Sequence, residues 1–276
     1  MSKLTKLVEN ARRGGQGFGF MARQTEAVPG LILIASLPAS RPELVKAAIE
    51  AGADALVLSE GDATTADAVA VQRVVQVAGD RPCGLAVAGT EPAEATRSRA
   101  WQEAGVDFLL LSPGNAAGLL LGELEKVAKI RADCEATEVR ALDALGMDAF
   151  VVERAEDRAG ARLSIADAAR YRLLTALTGR PVFVGVENRD LVADLENLAE
   201  LGVEGVLVGP ATLGEDPAAV RGVLESFRSE ITRLGPRKPP KRRQGQELPL
   251  IPRVAPPGSG GGEEEPGIPG EPDFPE

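Results

Sequence analysis

A chain of 276 residues with 44% hydrophobic side chains can bury one large core, but only 3% are aromatic, so Ala, Val and Leu must build it. The formal net charge of −10 argues against nonspecific nucleic-acid binding, which needs a basic footprint. The chain has no histidine, which excludes His general bases, His-containing triads and His metal ligands; proton transfer falls to Asp, Glu, Lys, Tyr, Cys or water.

The N-terminal stretch MSKLTKLVENARRGG is polar and lacks an apolar signal core. Residues 1–30 read as an extension ahead of the first strand. Within it, Ser2–Arg13 forms an amphipathic helix placed to cover the bottom of a barrel. GGQGFGF (14–20) is a Gly-rich link, and because it follows no strand it is not a dinucleotide fingerprint.

From Leu31 to about Leu234, short apolar runs alternate with amphipathic segments. Strands are predicted at 31–36, 53–59, 83–88, 106–112, 127–132, 148–153, 181–187 and 203–209. Helices are predicted at 42–51, 65–78, 92–104, near 116–125, and at 135–145, 164–178, 190–200 and 216–233. The strands are continuous apolar runs, as strands buried on both faces should be. One link recurs four times: Ala51-Gly52-Ala53-Asp54, Ala104-Gly105-Val106-Asp107, Leu145-Gly146-Met147-Asp148 and Leu201-Gly202-Val203-Glu204. In each, Gly closes a helix in a left-handed cap and the next strand begins. Repeated βα units imply a parallel sheet, and eight of them in roughly 200 residues favour a closed (β/α)₈ TIM barrel over an open doubly wound sheet.

From Gly235 the composition breaks into the basic GPRKPPKRRQGQ and then a Pro, Gly and acid segment. Residues 235–276 bury too little apolar area to offset chain entropy and are expected to be a disordered tail. Cys83 and Cys134 give no disulfide framework and fit a reducing cytoplasm. No apolar run approaches the roughly 20 residues needed to span a bilayer. Homodimerisation is expected only on the general frequency of symmetric oligomers.

In such a barrel the site lies at the C-terminal ends of the strands. The residues there are Ser36, Ser59, Glu60, Thr90, Glu91, Ser112, Arg131, Asp133, Glu153, Glu187, Asn188, Gly209 and Thr212. The ending Val184-Gly185-Val186-Glu187-Asn188 followed by Val208-Gly209-Pro210-Ala211 resembles the ribulose-phosphate-binding barrel group, which includes indole-glycerol-phosphate synthase-like enzymes. Flavin-linked barrels share a similar ending. The resemblance implies a phosphorylated small molecule held by backbone N–H groups at Gly185 and Gly209, or FMN on the flavin alternative. Two residues depart from the pattern. Glu187 brings a negative charge beside the expected phosphate, and Pro210 has no N–H.

Charge inside the barrel is the second signal. Strand side chains alternate, so in VAKIRA the residues Ala128, Ile130 and Ala132 face the helices, and Lys129 and Arg131 face the lumen. The same alternation points Glu153 inward beside Val151 and puts Gly185 and Glu187 on one face. A lumen lysine flanked by carboxylates suits proton abstraction or Schiff-base chemistry, because desolvation lowers a lysine's pKa and raises a carboxylic acid's. The alternatives are a structural Lys129–Glu153 ion pair or the opposite strand face. The long loop 154–163 carries Arg154, Arg158 and Arg162, which either meet an anionic substrate or decorate a surface loop. No metal cluster stands out, although Glu60, Asp62 and Glu153 have the chemistry for Mg²⁺.

These readings predict a sugar-phosphate or small-anion enzyme of lyase, aldolase or isomerase type. Lys129 and Glu153 would be catalytic, with Arg131, Gly185, Glu187, Gly209, Ser59 and Glu60 binding substrate. The alternatives are a non-catalytic barrel serving as a binding or scaffold protein, and a flavin-dependent oxidoreductase. A lumen closed at the mouth would favour the scaffold.

Overall fold

Eight apolar runs become eight parallel strands: β1 Ile32–Pro38, β2 Ala55–Ser59, β3 Cys83–Ala86, β4 Phe108–Leu111, β5 Glu125–Arg131, β6 Ala149–Glu153, β7 Val182–Val186 and β8 Gly205–Val208. Each pairs with its neighbour in sequence, and β8 returns to β1 through Ile32–Ala35, closing the barrel. This computed structural model describes residues 2–13, 30–59, 68–87, 95–154 and 162–236. The predictions for the 14–20 link, Glu60, Asp62, Thr90, Glu91, Arg158 and the tail beyond residue 236 lie outside those residues.

The helices are α1 Lys3–Arg13, α2 Pro42–Glu50, α3 Ala68–Ala78, α4 Ala95–Glu103, α5 Ala136–Ala144, α6 Ile165–Leu177, α7 Leu195–Glu200, α8 Pro210–Leu213 and α9 Pro217–Leu234. Two predicted helices differ. The one near 116–125 is a 3₁₀ turn, Ala117–Leu121. The one at 190–200 is a 3₁₀ turn, Arg189–Asp194, followed by α7. Asp194 interrupts it, with φ −106° and ψ 3° outside the helical region. Its buried carboxylate accepts the Leu163 N–H at 2.9 Å instead.

The recurrent Gly link accounts for the order of the sheet. Gly52, Gly105, Gly146 and Gly202 have φ between 83° and 96°, the region that favours glycine. Each precedes an even-numbered strand. The carboxylates of Asp54, Asp107 and Asp148 accept the N–H of Leu33, Cys83 and Lys126 at 2.8, 2.9 and 2.9 Å. Their own N–H groups donate back to the carbonyls of the same three residues at 2.8, 2.7 and 2.8 Å. The fourth copy keeps the backbone bond, Glu204 N–H to Val182 O at 2.8 Å, while its carboxylate turns to Arg12 of α1 at 3.0 Å. The link therefore pins each odd strand to the next even one, and the repeating unit is βαβα.

Strand alternation splits the core in two. One face packs between barrel and helices, with Leu33, Leu56, Leu109, Phe150 and Val184 fully or almost fully buried. The other fills the lumen, where Phe108 and Phe183 meet Ile34, Val57 and Val151. A methyl group at Gly84 would overlap the Phe108 ring, so this glycine makes room for a lumen aromatic. Below them α1 presents Leu4, Val8 and Ala11 to the same cluster and covers the N-terminal end of the barrel. The lumen is thus filled from below, and a cleft opens at the opposite mouth.

Candidate functional site

At the mouth, the register pairs Lys129 with Val151 and Arg131 with Glu153. Val127, one lumen position below Lys129, is buried in the lumen cluster, whereas Ala128 and Ile130 pack against the helices. Lys129 Nζ lies 2.8 Å from Glu153 Oε1, and the two side chains are 37% and 36% exposed. The expectation of a desolvated pair is therefore corrected: a filled lumen lifts these long side chains into water rather than sealing them in.

The pair opens into a cleft of about 490 Å³ whose walls include Ser112, Lys129, Arg131, Asp133, Glu138 and Glu153. Arg131 does not reach toward Lys129. Its guanidinium forks onto Asp133, with Nε to Oδ1 and Nη2 to Oδ2 both at 3.0 Å. That hydrogen bonding holds the Asp133 carboxyl below its ordinary range. Ser112 follows β4 beside Lys129. Its N–H donates to Asn115 Oδ1 at 2.7 Å, and Asn115 Nδ2 donates to Val87 O at 3.3 Å, tying this rim to β3. Cys134 also lines the cleft, but burial first, then Glu138 and Asp133, push its thiol up. Cys83 sits at the opposite end, where burial and Asp107 push it up to about 12. Neither is an activated thiolate.

The other predicted residues are dispersed. Ser59 ends β2, across the mouth from β6, and is not part of the cleft wall. Gly185 borders Glu153, since a methyl group there would lie 3.5 Å from Glu153 Cγ, an ordinary contact. β7 ends at Val186, Glu187 is exposed, and its charge reaches Tyr171 of α6 behind the barrel wall. Burial is the main cause that pushes the Tyr171 hydroxyl up to about 12. At the end of β8 the Gly209 N–H donates to Val186 O at 3.2 Å. The N–H groups of Thr212 and Leu213 both turn onto Gly209 O at 3.1 Å, and the Thr212 hydroxyl donates to Val186 O at 3.2 Å.

Two of the loop arginines are committed elsewhere. Arg154 is buried against Asp167 at 3.0 Å, and Arg162 pairs with Asp194 at 3.1 Å. The network behind them carried a legible signal that the sequence reading passed over: Ser164-Ile-Ala-Asp167 is a capping box at the start of α6. Among the described residues, no group of three or more Cys, Asp or Glu side chains could hold a metal ion. No helix among them is long and apolar enough to cross a membrane.

Compared with solved structures, the chain superimposes on several TIM barrels at low sequence identity. A tryptophan synthase structure from M. tuberculosis matches with a TM-score of 0.63 and 17% identity, over 83% of this chain and 98% of that one. What these structures share with the chain is the (β/α)₈ TIM-barrel fold. Thiamine phosphate pyrophosphorylase from Pyrococcus furiosus matches with a TM-score of 0.52 and 17% identity, over 74% of this chain and 96% of that one. A mutant tryptophan synthase alpha-subunit from the same organism gives 0.55 and 14%, over 74% and 97%. At such identities the likeness is one of fold and assigns no reaction. No protein-family model and no curated protein sequence matches the chain.

Proposed function

We propose that the barrel is an enzyme acting on a small phosphorylated or otherwise anionic carbonyl compound, by lyase, aldolase or isomerase chemistry at Lys129 and Glu153. The observation that carries this reading is the 2.8 Å contact of an amine with a carboxylate, both water-accessible, in a cleft at the C-terminal ends of the strands.

The two groups divide the work. Glu153 takes a proton from the Lys129 ammonium, and the freed nitrogen lone pair attacks the substrate carbonyl carbon. The carbonyl π pair moves to oxygen, which is protonated by Glu153. A second proton from the same carboxyl–amine pair lets water leave with its C–O electrons, giving an iminium. Glu153 as carboxylate then removes the proton α to the iminium carbon, and the C–H electrons become an enamine. Reprotonation of that α carbon from its other face epimerises the substrate, while addition of the enamine to a second carbonyl, or its reverse, makes or breaks a carbon–carbon bond. Water then adds to the iminium carbon and the Lys129 amine leaves with the C–N electrons, releasing the product carbonyl.

The test is reduction with sodium borohydride in the presence of a panel of triose, tetrose and pentose phosphates, followed by intact mass and peptide mapping. A reduced adduct on Lys129, absent from Lys129→Ala and at least about tenfold slower to form in Glu153→Gln, is the expected result. A second readout is deuterium exchange α to the carbonyl in D₂O. No adduct and no exchange across the panel would remove the enzyme reading and favour a ligand-binding barrel without catalysis. The inward-turned donors at the end of β8 already lean toward that second reading.

A further inference from the structure

We infer that the ligand's anionic group is received by Arg131 at the mouth of β5, in exchange with Asp133, and not by the glycine turns that end β7 and β8. This rests on the proposed function and names the anion contact and substrate size for that site.

The β8 turn is poorly supplied with donors. Gly209 N–H is bound to Val186 O, Pro210 has none, and the N–H groups of Thr212 and Leu213 close on Gly209 O, which leaves Ala211 N–H against four committed or missing donors. The exposed Glu187 adds negative charge after β7. α8, at four residues, is too short to gather a useful helix dipole. The cations are on β5 instead. Arg131 lies two residues beyond Lys129 on the same strand face, next to Glu153 in the register. Positions two apart on a strand are separated by roughly 6–7 Å. An anion on Arg131 with a carbonyl at Lys129 therefore fits a short-chain phosphate ester and is far too short for a nucleotide.

Asp133 sets the threshold. Its bidentate geometry on Arg131 is that of a carboxylate on a guanidinium, and the same fork accepts two phosphate oxygens. Both side chains stand largely in water, at 56% and 40% exposed, so the contact is weak enough to exchange. Another monoanion gains little by replacing Asp133, whereas a phosphate dianion brings more charge to the same fork. Glu135 and Glu138 on the rim sharpen the selection by repelling any anion that Arg131 does not hold. Asp133 is thus a specificity-determining residue favouring phosphate over carboxylate.

The measurement is calorimetric titration of the full chain with inorganic phosphate, and separately with acetate, at low ionic strength. Circular dichroism checks that each variant is folded. Asp133→Asn should bind phosphate about 3- to 10-fold more tightly and bind acetate measurably for the first time. Arg131→Gln should lose saturable phosphate binding. Gly209→Ala, whose new methyl would meet only Val186 O at 3.6 Å, should match the unsubstituted protein. The inference is overturned if Arg131→Gln keeps its affinity, if Gly209→Ala loses it, if Asp133→Asn is unchanged, or if neither Asp133→Asn nor the parent binds phosphate. Borohydride trapping on the same proteins reads the Lys129 chemistry separately. Trapping without the phosphate effects sinks only the anion contact, and phosphate effects without trapping sink only the chemistry.

Discussion

Arg131 ends β5, Arg154 comes just after the end of neighbouring β6, and the two meet opposite fates. Arg131 has lumen parity and stands in water at the mouth. Arg154 follows Glu153 and so turns behind the wall, where only 6% of it is exposed and Asp167 is its partner at 3.0 Å. Removing one member of a buried pair leaves the other charged and unpaired, at a cost of about 3–5 kcal/mol. Asp167→Ala should destabilise by that amount. The pH dependence follows from the carboxyls. Burial alone would raise Asp167, but the Ser164 hydroxyl and N–H, then Arg154, outweigh it and hold it below its ordinary value. Asp194 is lowered in the same way against its burial, by Arg162 and the Leu163 N–H. Folded values below the unfolded ones mean stabilisation that is complete above the ordinary Asp pKa of about 3.9 and lost as pH falls through the folded values. Between pH 6 and pH 3 the urea midpoint should fall further for the parent than for Asp167→Asn. Equal falls would show that this carboxylate carries no acid sensitivity. Lys129 and Glu153 were legible because both lie inside strands, where the two-residue period assigns a face. Glu187 and Asp133 lie beyond strand ends, where that period stops, so it assigns Glu187 no face and gives no sign of the Arg131–Asp133 bond.

The elements were legible where pattern and punctuation coincide. Apolar runs gave the strands, but β2, β4 and β8 begin two residues later than predicted because the residues after each left-handed Gly belong to the pinning link. α1 is the clearest case of a helix specified by one stripe. Leu4, Val8 and Ala11 recur at helical spacing and are 2%, 3% and 2% exposed inside the lumen cluster. Polar contacts fix its position: Lys3 with Asp107 at 3.4 Å, Arg12 with Glu204 at 3.0 Å, and the Thr5 hydroxyl on Glu125. Two of those acids, Asp107 and Glu204, belong to the Gly links, so α1 docks on the repeat that orders the sheet. Leu4→Ala should cost about 2–4 kcal/mol, since it opens a cavity where barrel and helix meet. Lys6→Ala, exposed on the same helix, should stay within about 0.5 kcal/mol. Denaturant unfolding of both variants makes the comparison. Matching values would mean that α1 lies on the barrel without helping to hold it.

For the whole molecule, closure is decided at one seam. β8 meets β1 with Gly205 opposite Ile32, and Ile32 N–H donates to Glu204 O at 2.9 Å. A methyl group on Gly205 would overlap the Ile32 carbonyl oxygen, which is backbone and cannot swing aside. Relief requires β1 and β8 to separate, and a parallel barrel opened along one seam exposes two strand edges with their unpaired backbone groups. Gly185 lies on the same lumen face of the adjacent strand, but a methyl group there meets only ordinary contacts, at 3.5 Å and beyond. The two glycines look alike in the sequence, each within an apolar strand, because the distinction depends on how closely another chain segment approaches. Gly185→Ala should therefore unfold within about 1 kcal/mol of the parent. Gly205→Ala should lose more than about 3 kcal/mol, because backbone overlap costs more than ordinary core overpacking. Thermal unfolding, with light scattering to detect edge-to-edge association, separates the outcomes. If Gly205→Ala melts with the parent, the β8–β1 seam is not the joint that closes this barrel, and the mouth that carries Lys129 and Glu153 must be held in shape by its helices instead.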